Sequence, residues 1–216
     1  MPDDVQMAFA QAAAQDGIEL GGQSFEWLCE QGHVGLERVA KARRAPGLVA
    51  PVTAALGVLG AIYARLKGDV SVLYASRENL LLPVDLMHGP TGTVVEVDGP
   101  PHFTSFRLTA LELYPADAVV GFDVGEHKDL CRAWCSRTDG LSRGLASKAF
   151  GFGGVQRERA YNDALVDLAV VAMGYPPPMR IAAVDEDGAA AYHRHRDSLL
   201  TLAGRSKRCG NVTRKE

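Results

Sequence analysis

Lysine and arginine are absent from the first 30 residues, and cysteine occurs only four times in 216, never in CxxC spacing. Four scattered thiols (Cys29, Cys131, Cys135 and Cys209) do not read as a disulfide framework, which excludes a disulfide-rich secreted scaffold. Cys131 and Cys135, four residues apart and close to His127, fall short of a closed zinc site, which needs about four ligands and usually tighter knuckles. Helix packing is their expected role. No Gly-Lys-Ser/Thr ending follows a glycine-rich stretch, so a P-loop is excluded. Internal repeats and low-complexity tracts are missing too, which excludes collagen-like and disordered chains. The opening residues Met1-Pro-Asp-Asp lack the basic and apolar segments of a secretory leader. A reducing cytoplasm with free thiols is the expected location.

What is present is a globular composition, 47% hydrophobic and 23% charged, with enough length for one domain and its core. The formal net charge of −3 gives no sign of a polyanion partner. The distribution of charge gives one. Asp3, Asp4, Asp16, Glu19, Glu26 and Glu30 supply six acids at the start, so the remainder of the chain carries +3. Arg38, Lys41, Arg43 and Arg44 face a single acid, Glu37; Arg132 to Arg159 holds six basic and two acidic residues, and Arg194 to Glu216 seven and two. Three basic runs raise the expectation of a polyanion partner. Between Arg44 and Arg65 lie twenty residues without a charge, enough to cross a hydrocarbon core of ~30 Å. Two prolines, three glycines and only seven Leu, Ile or Val residues argue instead for a fully buried helix over 52–66 that pairs closely with a sheet. No membrane partner is expected.

Periodicity predicts helices near 3–14, 24–44, 52–67, 103–114, 128–134, 156–173 and 189–202. Strands are expected at 70–74, 80–87, 93–97, 118–124 and 179–184, and a Gly/Ser-rich loop over 136–154. This order predicts an α/β fold, a central mixed sheet flanked by helices.

The chemistry concentrates in LLLPVDLMHGPTGTVVEVDGPPHF, residues 80–103. Asp85 ends one apolar run, and Glu96 and Asp98, two apart on the next, share a strand face. A hairpin through Gly89–Gly92 would set Asp85 beside Glu96. Three carboxylates on one face repel unless a hard cation sits between them, and Mg²⁺ prefers such oxygens. The Gly99-Pro100-Pro101 turn would swing His102 back to the same place, as general base or to polarise an attacking water. A solvated acidic rim with an ordinary Asp-Gly turn is the alternative. Against it, Val94, Val95, Val97 and Phe103 imply a half-buried strand, where unpartnered charge is expensive. Farther on, Arg107 could reach a phosphate. The segment FGFGGVQRERAYNDALVDLA, 150–169, feeds a glycine-rich loop into a helix N-terminus, where Gln156, Arg157 and Arg159 would add to the attraction for phosphate. His193 and His195, beside Arg194 and Arg196, read as a solvated helix face.

The pattern P-V-D, ten residues, then E-V-D-G-P-x-H resembles the PD-(D/E)XK, or restriction-endonuclease-like, nuclease superfamily. It is most similar to the branch of very-short-patch-repair endonucleases and RAP domains, which share an E-x-D-G-x-x-H-F signature. The resemblance implies a restriction-endonuclease-like core, with Mg²⁺ (or Mn²⁺) bound by Asp85 and Glu96 and by the backbone carbonyl of Val97. Asp98 stands where the superfamily usually has lysine, and the resemblance implies that His102 takes over part of that lysine's work. The superfamily often carries an acid on its first core helix; 52–66 has none, which argues against a second metal. The expectation is therefore a Mg²⁺-dependent endonuclease acting on nucleic acid, DNA more than RNA, with catalytic Asp85, Glu96, Asp98 and His102. A catalytically silent nucleic-acid-binding module is the alternative. Residues 1–48 would form a helical extension, 49–203 the nuclease-like core and 204–216 a basic tail. A homodimer through the acidic N-terminal helices is the expected assembly.

Overall fold

A computed structural model of the chain describes residues 4–43, 46–76 and 80–210. The first helix, α1 (Asp4–Gln15), buries Phe9, Ala12 and Ala13 on one face. It stops where Gly17 takes φ +72° and the amides of Gly17 and Ile18 return to the carbonyls of Ala14 and Ala13, the hydrogen-bond pattern of a glycine C-terminal cap. Then come β1 (Leu20–Cys29), α2 (Gly32–Arg43), α3 (Pro46–Arg65), the short α4 (Val70–Ala75), β2 (Leu81–His88) and β3 (Thr93–Asp98). A 3₁₀ turn over Pro100–His102 leads into α5 (Ser105–Leu111), α6 (Val124–Thr138), α7 (Val155–Ala172), β4 (Met179–Ala182) and α8 (Gly188–Gly210).

The four strands form one mixed sheet in the order β1-β2-β3-β4. The first two pairings are antiparallel and β3 runs parallel to β4. One face carries Val84 and Val94 against α3 and α7; the other carries Leu86, Val95, Val97 and Ile181 against α1 and α8. The α/β expectation, a mixed sheet flanked by helices, is met.

Three elements differ from the sequence reading. The helix expected over 24–44 is split, because Gly32 at φ +54° breaks it and the preceding stretch is β1. There Phe25 and Trp27, two apart on β1, stack at 4.8 Å and meet Tyr175 from the connection between α7 and β4. The strand expected at 70–74 is α4: Asp69 caps it by accepting from the Ser71 amide at 2.9 Å, and this cap outweighs the β-branched Val70 and Val72. No strand forms over 118–124, where Gly121 lies against the Pro177 and Pro178 carbonyls and Asp123 caps α6. The 1–48 segment is consequently no helical extension, since β1 is an edge of the central sheet.

Helix α3 is not the fully buried helix that was expected. It is long and apolar enough to cross a membrane by length and composition. Val52, Leu59 and Ile62 are buried, with α2 and α7 as the main neighbours, while Ala50, Ala54, Gly57 and Ala61 are exposed. Helix α1, offered as a dimer face, is engaged within the chain. Phe9 meets Tyr192 edge-on at 5.7 Å, and Asp16 accepts hydrogen bonds from Arg196 and Tyr192 of α8. Residues 204–210 continue α8; Arg44 and 211–216 lie outside the described residues.

Candidate functional site

Strands β2 and β3 pair only through Leu86–His88 and Thr93–Val95. One residue further the ladder stops. Against β1, Gly21 faces Met87 while Gln23 faces Val84, so Asp85 and Leu86 together oppose Gly22. This is a β-bulge, a device that redirects a side chain and twists a strand. Val84 and Leu86 accordingly lie on opposite faces of the sheet, and the Asp85 side chain turns into the gap towards β3. Its Oδ2 accepts the Val97 amide at 2.9 Å, and the Asp85 amide reaches Glu96 Oε1 at 3.4 Å. Backbone N–H and C=O of one strand residue leave on the same side, so the Val97 carbonyl faces this gap as well.

The hairpin therefore brings Asp85 beside Glu96, as the spacing predicts. Glu96 is buried and Asp85 half-buried. Burial pushes the Asp85 carboxyl up to about 6 against the Val97 hydrogen bond, with the charge of Asp98 adding to the rise. Burial, and then Asp85 itself, holds Glu96 well above the usual carboxylate range.

On the same face, Asp98 serves a different purpose. Arg180, in register with Glu96 on β4, donates through Nη1 to both Asp98 oxygens, at 2.7 and 3.0 Å. Its Nε donates to Asp167 at 2.7 Å and its Nη2 to the Asp163 carbonyl at 3.1 Å. His102 places Nδ1 3.2 Å from Asp163 and 3.3 Å from Asp98. Burial alone would lower the imidazole, but the two carboxylates outweigh it and raise it to about 9. The two carboxylates thus favour the protonated ring, which suits a charged donor better than the general base expected of it. His127 Nε2 lies 3.9 Å from Asp98, and burial lowers that ring to about 4.

Arg107 and Gln156 are not available to a phosphate. Arg107 is fully buried, donating to Asp167 at 2.6 Å and to the Tyr114 hydroxyl at 3.0 Å. Gln156 is buried with its amide donating to the Thr138 carbonyl at 2.5 Å, which ties α7 to the end of α6. The loop folds back on the N-terminus of α7, where an added Cβ on Gly154 would strike Phe150 and the Gly151 carbonyl at 2.7 Å. Arg157 and Arg159 remain partly exposed; Arg157 donates to the Phe152 carbonyl at 3.0 Å and lies 5.8 Å over the Phe106 ring.

Sequence reasoning missed Arg180, Asp163, Asp167 and Tyr114. A charged residue inside the apolar strand MRIA, and acids four apart among the alanines of α7, were the available signals.

Among the described residues, the one group of three side chains able to share an ion is Asp98, His102 and Asp163, with ligand atoms within 4.8 Å of one another. Arg180 and the imidazolium already supply positive charge there. The Asp85–Glu96 pair fits a divalent ion better, having carboxylate oxygens, a carbonyl on the same gap and no cation bonded to either acid. Cys131 is buried and Cys135 turns its thiol to the Arg132 carbonyl at 3.6 Å, so both pack along α6.

No protein-family model, curated protein or solved structure matches the chain.

Proposed function

We propose that the protein is a restriction-endonuclease-like phosphodiesterase that uses Mg²⁺ or Mn²⁺ held by Asp85, Glu96 and the Val97 carbonyl to cut nucleic acid. One observation carries the reading. In the buried cluster, five carboxyl groups (Asp85, Glu96, Asp98, Asp163 and Asp167) gather with three cations, His102, Arg107 and Arg180. Asp85 and Glu96 are the two acids with no ion-pair partner among the described residues, so ionising both leaves a surplus of two negative charges there. A divalent cation matches that surplus in charge and in ligand chemistry.

When bound, such an ion supplies a Lewis acid and a water of lowered pKa. The chain's own residues do the rest. Arg180 fixes Asp98 and Asp163, and these hold the His102 ring by Nδ1. The Nε2 edge, with no hydrogen bond among the described residues, is then a charged donor for a phosphate oxygen or a leaving group. The test is incubation of plasmid, linear duplex and single strands with Mg²⁺, Mn²⁺ or a chelator. Metal-dependent cleavage lost in both Asp85→Asn and Glu96→Gln supports the reading.

A second reading, a catalytically silent nucleic-acid-binding module, is favoured by Asp98 alone. The position that usually carries lysine is here tied into a buried ion pair with Arg180 and has no free side chain. Binding with no cleavage under every metal condition would establish it.

A further inference from the structure

The most exposed large apolar side chain among the described residues is Phe152, with 76% of its surface in water. It does not sit on a loose tip. Ser147 and Gly151 exchange both backbone hydrogen bonds, at 2.9 and 2.8 Å, and the Phe150 amide donates to Ser147 Oγ at 3.3 Å. Gly151 and Gly153, on either side of Phe152, take φ of +69° and +64°. Arg157 then holds the Phe152 carbonyl. An ordered loop thus presents a phenyl ring to solvent, and its neighbours Gly151, Gly153 and Gly154 have no side chains to cover either ring face.

Charge surrounds the ring in the sequence that carries it. Arg137, Arg143 and Lys148 are exposed and form no ion pair with the described residues. Arg137 instead lies 5.4 Å over the Trp134 ring. Of the two acids in this stretch, Asp139 is occupied by the Ser105 amide at 2.9 Å, and Glu158 lines a cavity of about 330 Å³ with Lys148, Tyr63 and Tyr161. A bare aromatic ring on a segment that also exposes unpaired cations is the combination that holds single-stranded nucleic acid, bases stacking on rings and phosphates meeting the charges. The loop also adjoins the candidate site. Thr138 donates to the Phe103 carbonyl at 2.7 Å, Asp139 caps Ser105 and Arg157 covers Phe106, and these residues directly follow His102.

We propose that the α6–α7 loop, 139–154, together with the end of α6, binds a single strand of nucleic acid. A base stacks on Phe152, and Arg137, Arg143 and Lys148 meet the backbone phosphates. This names the substrate class of the site and rests on the reading of the protein as acting on nucleic acid.

The test is fluorescence anisotropy in a metal chelator, with a short labelled single strand of mixed sequence and the same sequence as a blunt duplex. The single strand is expected to bind at least tenfold tighter. Phe152→Ala should weaken single-strand binding about tenfold, Phe152→Trp should restore it, and the melting temperature should not move. The double variant Arg143→Ala/Lys148→Ala should flatten the slope of log affinity on log salt by about 1.4, two phosphate contacts' worth. Equal binding by wild type and Phe152→Ala overturns the proposal, as does binding to anionic phosphatidylserine vesicles with no binding to strands. If no metal supports cleavage while the Phe152 dependence holds, the metal centre fails and the loop stands. If cleavage needs Asp85 and Glu96 while Phe152→Ala binds and cuts as wild type does, the loop fails and the centre stands.

Discussion

The Asp85 carboxylate accepts the Val97 amide at 2.9 Å, taking the place of a β2 backbone carbonyl that an uninterrupted hairpin would offer. That substitution opens the ladder and sets Asp85 against Glu96. Both acids have folded-state pKa values above their unfolded ones, so the folded chain holds more protons as pH rises and loses stability. For Asp85 the loss runs from about 4 to about 6, and for Glu96 it continues higher. The metal-free protein should lose roughly 1–3 kcal/mol over this range. Mg²⁺ or Mn²⁺ should raise the melting temperature, and more at about pH 8 than at about pH 5, where protons compete. Melting curves with and without metal at the two pH values check this; a shift absent at both would remove the site.

Glu96→Gln keeps the Oε1 that accepts from the Asp85 amide and removes one buried ionisable group. Without metal the variant should be more stable than wild type at about pH 8, by roughly 1 kcal/mol or more. It should also lose the stabilisation by Mg²⁺. Urea titrations of both proteins give the comparison. Destabilisation without metal would mean that Glu96 is a structural partner rather than a ligand.

His102 titrates with the same sign, over a higher pH range. Its folded value of about 9 lies above the unfolded 6.5, so the stability it adds is full below 6.5 and disappears as pH rises through about 9. Asp163→Asn removes the leading carboxylate while leaving the ring half-buried. The His102 titration, followed by imidazole NMR, should then move down by one unit or more. The slope of stability between about 6.5 and 9 should shrink with it. A titration unchanged in Asp163→Asn would show that another group sets the charge.

The sheet hairpin and its acid pair were legible because they are local. The spacing of Asp85, Glu96 and Asp98 along two β-branched runs fixes their face and neighbour, and the Gly89–Gly92 turn joins the runs. What was not legible depends on contacts far apart in the chain. Nothing near Arg107 announces Asp167, sixty residues away, which takes its charge into the interior. Nothing near Asp98 announces Arg180, eighty-two residues on. The same holds for β1, where the Phe25–Trp27 pair gains a third ring only when Tyr175 folds against it. Local propensity gave 24–30 to a helix; the sheet edge and the aromatic contact reclaimed it.

Arg180 is the most consequential of these distant partners. Its side chain is fully buried, and it joins Asp98, Asp163 and Asp167 from two elements, β3 and α7. Removing one member of a buried ion pair typically costs 3–5 kcal/mol, because the remaining charge is left without a partner. Arg180→Met should therefore destabilise by about that much, or prevent folding. Adding Asp98→Asn to it removes the stranded carboxylate and should recover about 1–2 kcal/mol, a non-additivity expected of groups in contact. Asp167 keeps Arg107 and Tyr114 in both variants, so its carboxylate remains paired. Urea unfolding of the single and double variants measures the coupling. Additive losses would show that Asp98 and Arg180 contribute independently, and Asp98 would then be free for a role at the metal.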